Sequence, residues 1–119
     1  MNKFGLNRIL ITGGAGFVGT HLATLLSSRS YQVTSLDLKD PVHSVPGVKY
    51  IKGDARNASL MAELLKSADA LYHLAATVSV PKCQEEVLES YSNNVDCTVS
   101  LLEILRHIKT SENRTIDRK

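Results

Sequence analysis

The stretch Ile9-Leu10-Ile11-Thr12-Gly13-Gly14-Ala15-Gly16-Phe17-Val18-Gly19 sets a short apolar run directly before glycines at positions 13, 16 and 19. Beyond the turn, Val18, Leu22, Leu25 and Leu26 recur at helical spacing. The pattern is therefore G-x-x-G-x-x-G at a strand-to-helix junction. A diphosphate reaches the backbone closely only where side chains are absent, and a helix N-terminus supplies N–H donors that have no intrahelical partner. The ligand implied is a dinucleotide.

Outward from this turn, strands and helices alternate. The unbroken run from Arg8 to Thr12 suits a strand buried on both faces of a parallel sheet. Ser27-Ser28-Arg29-Ser30 closes the first helix, and Tyr31 to Leu36 reads as a second strand ending at Asp37. The segment 39–47 holds two of the three prolines and is a loop. Val48 to Ile51 forms a third strand, stopped by Gly53-Asp54. Asn57 or Ser59 caps a short helix carrying Leu60, Met61, Leu64 and Leu65. Ala70 to Leu74 is a fourth strand that runs into Ala75-Ala76.

After Pro81 a long helix is expected, from about Glu85 or Ser90 to Ile108. Leu101, Ile104, Leu105 and Ile108 fall at i, i+3, i+4 and i+7, and Val95, Val99 and Leu102 widen that apolar face. Such alternation calls for parallel βαβ units with right-handed crossovers. The fold class is α/β: a doubly wound parallel sheet of about four strands with flanking helices, a truncated Rossmann-type fold. Residues 1–109 form the dinucleotide-binding domain, and 110–119 a polar tail broken only by Ile116.

Size and composition narrow the partners. With 119 residues the chain is one domain, 43% hydrophobic and 22% charged, as ordinary globular proteins are. A formal charge of +2 without a Lys/Arg cluster gives no footprint for nucleic acid. No segment approaches the ~20 apolar residues of a membrane span, and no signal peptide precedes the first strand. Cys83 and Cys97 lie outside any C-x-x-C pattern and read as reduced thiols, which makes the cytoplasm the expected compartment. Four scattered histidines and two distant cysteines show no metal-ligand spacing.

Asp37 strengthens the dinucleotide reading. It stands about 20 residues beyond the turn, where an acidic side chain accepts hydrogen bonds from the adenosine ribose. A carboxylate there repels a 2′-phosphate, favouring NAD over NADP. Asp40 competes for the role but lies past the strand, and a solvated loop residue or helix cap is the plainer reading of Asp37 itself. A nucleoside-triphosphate loop is rejected, because Thr20-His21 follows the last glycine in place of Lys-Ser/Thr.

Taken together, Thr12 to Gly19, Asp37, Gly53-Asp54-Ala55-Arg56, His73-Leu74-Ala75-Ala76 and Asn94-Val95-Asp96-Cys97-Thr98 resemble the N-terminal half of an extended short-chain dehydrogenase/reductase of the nucleotide-sugar epimerase/dehydratase type. The resemblance covers roughly residues 7–108 and is specific for the superfamily, not for a substrate. It implies that Gly13, Gly16 and Gly19, with the backbone of Phe17 and Val18, hold the pyrophosphate of NAD. Asp37 would take the ribose, with Leu38 beside it, and Asp54 the adenine amino group, with Ala55 packed on the ring. Leu74, Ala75 and Ala76 would line the middle of the cofactor, and Asn94 would support the active-site region. Thr77, Val78 and Ser79 would lie near the nicotinamide.

Departures qualify what the resemblance implies. The family commonly has glycine where Cys97 stands. Its chemistry uses a Tyr-x-x-x-Lys pair in which lysine lowers the tyrosine pKa, so that the phenolate acts as base. Tyr31, Tyr50, Tyr72 and Tyr91 are followed four residues on by Ser35, Asp54, Ala76 and Val95, so no such pair exists here and no catalytic residue is assigned. The polar residues 110–119 also stand where the family has an apolar fifth strand.

Other tempting residues have plain readings. His73 reads as a satisfied core histidine, His21 as structural, Lys82-Cys83-Gln84-Glu85-Glu86 as a solvated loop and helix start, and Asn113-Arg114-Thr115 as a chance glycosylation match. The stripe Leu101–Ile108 is mostly core, with part of it a possible dimer face. Half a doubly wound sheet leaves an open edge on the fourth strand, so a homodimer or larger assembly is expected. The leading expectation is an NAD-binding domain inactive on its own. Its rivals are a fragment of a longer active epimerase, dehydratase or oxidoreductase, in which a nucleotide sugar would be the partner, and a non-catalytic nucleotide sensor.

Overall fold

A computed structural model of the chain describes residues 7–75 and 92–111. Ala76, Thr77 to Ser79, Pro81, Cys83, the expected helix start near Glu85 or Ser90 and the tail from residue 112 lie outside the described residues. The elements are β1 (Arg8–Thr12), α1 (Phe17–Ser28), β2 (Gln32–Asp37), β3 (Lys49–Lys52), α2 (Ala58–Lys66), β4 (Ala70–His73), a π-helical turn (Ser92–Asp96) and α3 (Cys97–Ser111). The four strands form one parallel sheet in the order β3-β2-β1-β4.

Alternation along β1 builds two cores. Ile9 and Ile11 face α1 and pack with Val33, Ala23 and Leu26. Leu10 faces the opposite side and packs with Leu36, Met61, Leu65, Cys97 and Leu101. A central parallel strand with both faces covered has no polar side to offer, which is why its sequence is apolar without a break.

On α1 the buried face is Gly19, Ala23 and Leu26, spaced i, i+4, i+7. Leu25 and Val18, expected in the stripe, lie one helical step off it and are exposed. The N-cap of α2 is Asn57, whose side chain accepts from the Leu60 N–H at 3.2 Å.

On α3 the expected stripe splits. Leu101 is buried and Ile104, Leu105 and Ile108 pack against the core, while Val95, Val99 and Leu102 face outward. The helix runs on to Ser111, three residues past Ile108, and its approach at Ser92–Asp96 is a π-helical turn. Thr98 contributes there by donating its hydroxyl to the Asn94 carbonyl at 3.1 Å. The outer edge of β4 has no partner strand among the described residues.

Candidate dinucleotide-binding site

The carboxyl ends of the four strands bring most of the expected site residues to one edge of the sheet. In the order β3-β2-β1-β4 these ends bring up Asp54 just beyond β3, Asp37 as the last residue of β2, the glycine turn after β1 and Leu74-Ala75 after β4. Neighbouring strands lie ~4.8 Å apart, so this row spans roughly 14 Å.

The glycine turn is moored to β2. Gly13 and Gly14 donate their N–H groups to the Leu36 carbonyl at 2.8 and 3.4 Å, and Ala15 N–H donates to Oδ2 of Asp37 at 3.0 Å. Gly13 has φ +72°, and a Cβ there would lie 2.7 Å from the Ala75 nitrogen. A Cβ on Gly19 would lie 2.6 Å from the Gly13 carbonyl oxygen and the Gly14 Cα, so this glycine lets α1 start flush against the turn.

Gly16 is the N-cap of α1 and has no side chain to satisfy the first turn, which also contains no acidic residue. The N–H groups of Phe17, Val18 and Gly19 therefore have no intrahelical acceptor and sit at the positive end of the helix dipole. The side chains of Phe17 and Val18 stand out from the turn into solvent, with the Phe17 ring edge-on to His21 at 4.5 Å. Leu38 and Leu74 are also exposed along this edge. Exposed apolar side chains around free donors form a surface suited to a ligand that is part aromatic and part anionic.

Asp37 is partly buried, and its other oxygen accepts the Lys39 N–H at 3.0 Å. Beside it, Gly53 donates to the Asp37 carbonyl at 2.9 Å and carries the chain into the Asp54 turn. Arg56 clasps the Asp54 carboxylate, with its backbone N–H on Oδ1 at 2.8 Å and its guanidinium on Oδ2 at 2.9 Å. That pairing holds Asp54 below the usual carboxylate pKa. The Ala55 carbonyl accepts from Cys97 Sγ at 3.4 Å, tying the same turn to the start of α3. Burial raises the pKa of this thiol, with the nearby Asp54 charge adding to the effect.

At the far end, buried Thr12 organises the end of β4. Its Oγ1 lies 2.6 Å from His73 Nδ1 and accepts from the N–H groups of Leu74 and Ala75 at 3.1 and 3.3 Å. With its lone pairs so engaged, the hydroxyl donates its proton to Nδ1, which places the imidazole proton on Nε2. His73 Nε2 is buried without a partner among the described residues, so the expected satisfied histidine is satisfied on one nitrogen only. Burial lowers its pKa.

Asn94 lies in the π-helical turn that leads into α3. An apolar groove of about 380 Å³ lies beside β4, between Leu65, Leu71 and His73 on one side and Thr98, Leu101 and Leu105 on the other; it contains none of the glycine-turn residues. Among the described residues no cluster of three or more His, Cys, Asp or Glu is placed to hold a metal, and no helix is long and apolar enough to cross a membrane.

Sequence reasoning overlooked three contributors. The sequence marks Thr12 only as a strand end and Arg56 only as part of a motif. Nothing in the sequence marks Ser35, whose buried hydroxyl lies directly beneath Gly14. Thr12 and Arg56 act through hydrogen-bond geometry and Ser35 through its close approach to Gly14, none of which residue spacing reveals.

The profile of the NAD dependent epimerase/dehydratase family matches residues 9–115. A UDP-glucose 4-epimerase from Klebsiella pneumoniae is 31% identical over 111 residues, covering 83% of this chain and 80% of that protein. A 3-beta-hydroxysteroid dehydrogenase from Mycolicibacterium neoaurum is 30% identical over 122 residues, covering 93% of this chain and 33% of the relative. The crystal structure of UDP-glucose 4-epimerase from Brucella ovis in complex with NAD superposes with a TM-score of 0.77 at 32% identity, covering 87% of this chain and 33% of that one. This chain thus spans about a third of the length of the latter two proteins. By the extent of the profile match and the shared fold, the chain belongs to the NAD dependent epimerase/dehydratase family.

Proposed function

We propose that this chain is the NAD-binding part of an epimerase/dehydratase-type enzyme. The observation that carries the proposal is the junction of Asp37 with the glycine turn at the uncapped start of α1. The free N–H groups of Phe17, Val18 and Gly19 hold the pyrophosphate; Gly16 keeps a side chain out of its way, while Gly13 and Gly19 let the turn pack closely against β4 and α1. Asp37, with Leu38 alongside, takes the adenosine ribose, and its negative charge disfavours the 2′-phosphate of NADP. Asp54 and Ala55 receive the adenine. Leu74, Ala75 and Ala76 line the path towards the nicotinamide, and Asn94 supports the active-site side.

Bound NAD supplies a hydride acceptor; the protein's part within this chain is to hold and orient it. Proton transfer to and from a nucleotide sugar belongs to a longer parent, consistent with the four tyrosines here lacking a lysine partner four residues on. Residues 1–109 form the binding unit and 110–119 a polar tail, whose first two residues still belong to α3. Cys97, buried and free, fits a reducing compartment such as the cytoplasm.

Self-association belongs to the same proposal. Val95, Val99 and Leu102 form an outward apolar stripe on the π-helical turn and α3, and the β4 edge lies open beside it among the described residues.

A titration with NADH, followed by the change in its own fluorescence, tests the reading, because the chain has no tryptophan to interfere. Saturable binding displaced by NAD is the expected result, with no conversion of UDP-glucose by the isolated chain. Absence of saturable binding would overturn the reading.

A further inference from the structure

The sheet places a cation beside Asp37. Asp37 and Lys52 are register partners, each the last residue of its strand, so their side chains leave the same face of strands ~4.8 Å apart. That face looks towards α1, because Val33, four residues before Asp37, packs there with Ala23 and Leu26. Both Asp37 oxygens accept backbone N–H groups, from Ala15 and Lys39. The ammonium of Lys52 is turned instead to Asp40, with Nζ 3.6 Å from Oδ2.

The 39–47 loop that carries Asp40 is pinned at both ends. At its start lies the bond from Lys39 to Asp37. At its end the Val45 N–H donates to the Tyr50 hydroxyl at 2.9 Å, and Ser27 Oγ donates to the Pro46 carbonyl at 3.2 Å. Lys52 and Asp40 keep 64% and 78% of their side-chain exposure, so their ion pair adds little to stability. Its place beside the Asp37 carboxylate gives it a bearing on the ligand.

We propose that Asp40 is a second determinant of the preference for NAD: by pairing with Lys52 it withholds that ammonium from a 2′-phosphate. The proposal rests on the reading of Asp37 as the ribose contact. A lysine ammonium on a flexible four-carbon stem is a ready phosphate partner. Released from Asp40, Lys52 spans one strand spacing to the ribose side of Asp37. There it offsets the carboxylate charge and attracts the phosphate, and both effects narrow the preference. NAD carries no charge at that position and is little affected.

The test measures NAD and NADP by displacement of fluorescent NADH from the whole chain, in wild type, Asp40→Asn, Lys52→Met and the double variant. Asp40→Asn is expected to tighten NADP about fivefold while NAD stays within about twofold of wild type. Lys52→Met is expected to leave the preference for NAD at or above its wild-type value. The double variant, which loses one charge of each sign, is expected to return to within about twofold of the wild-type ratio. At about 1 M salt, where the Debye length is ~3 Å, the gain in Asp40→Asn is expected to fall below about twofold.

An unchanged NADP affinity in Asp40→Asn would overturn the proposal. So would an equal gain in the double variant, which would show that Lys52 takes no part, or a gain that survives high salt. A wild type that binds NADP as tightly as NAD would overturn it through the reading of Asp37; a wild type that prefers NAD, with the same ratio in Asp40→Asn, would overturn the role of Asp40 alone.

Discussion

Oδ2 of Asp37 accepts a hydrogen bond from the backbone N–H of Ala15 at 3.0 Å, joining the end of β2 to the middle of the glycine turn across 22 residues of sequence. One carboxylate therefore serves two purposes: it steadies the turn and presents negative charge beside the α1 N-terminus. Asp37→Asn keeps the shape and removes the charge. It is expected to narrow the preference for NAD over NADP by about tenfold, read from the ratio of the two affinities. A ratio unchanged from wild type would show that Asp37 does not face the ribose.

Gly19 is fixed by contact. The Cβ of Gly19→Ala would meet the Gly13 carbonyl and the Gly14 Cα at 2.6 Å, and both are backbone atoms that cannot rotate away. The substitution should cost about 1–3 kcal/mol of stability and weaken NAD binding by at least about tenfold, measured by urea denaturation and by titration. Wild-type values for both would mean that α1 does not start against the turn.

Thr12 joins β1 to the end of β4. Thr12→Val fills the same space but leaves Nδ1 of His73 and the Ala75 N–H without their partner, at an expected cost of about 1–3 kcal/mol in chemical denaturation. A cost below about 0.5 kcal/mol would show that water replaces the hydroxyl.

His73 and Asp69 set two separate pH windows. Burial lowers the His73 pKa, so the unfolded chain binds the proton more readily; this contribution to stability is complete above about pH 6.5 and declines below it. Asp69 is held below the usual carboxylate range by the Arg8 side chain and by the N–H groups of Arg8 and Asn7, at 2.8 and 3.0 Å. Its contribution is present above about pH 4 and is lost as pH falls further. His73→Leu should flatten the stability profile below about pH 6.5, and Asp69→Asn only below about pH 4. The Asp69→Asn cost at neutral pH is about 1 kcal/mol, since solvent around Arg8 weakens the ion pair and the backbone bonds remain the larger part. Identical denaturation midpoints across pH for wild type and both variants would contradict these assignments.

The order of strands and helices was legible because each element carries its own signal: an apolar run for β1, a terminal acid for β2, an Asn cap for α2. The parallel order β3-β2-β1-β4 follows from right-handed crossovers. Less legible was which side of each helix faces inward. Leu25 and Leu26 are the same residue type at adjacent positions, and only the packing of Gly19 and Ala23 against the sheet decides that Leu26 is buried. The π-helical turn before Cys97 was not legible either, since apolar spacing does not separate one extra residue per turn from a regular helix. Within the site, the glycines and acids were visible as residue types. The clasp of Arg56 on Asp54 and the bonds from Thr12 to the end of β4 required coordinates, because they depend on rotamers and on strand register.

The central claim is that the glycine turn and Asp37 together form an NAD site. Calorimetric titration of the 119-residue chain with NAD and then NADP tests it most directly. Saturable binding of NAD at one site per chain, at least about tenfold tighter than that of NADP, is the expected result. Failure to bind either dinucleotide would contradict the claim, and tighter binding of NADP would contradict the part played by Asp37.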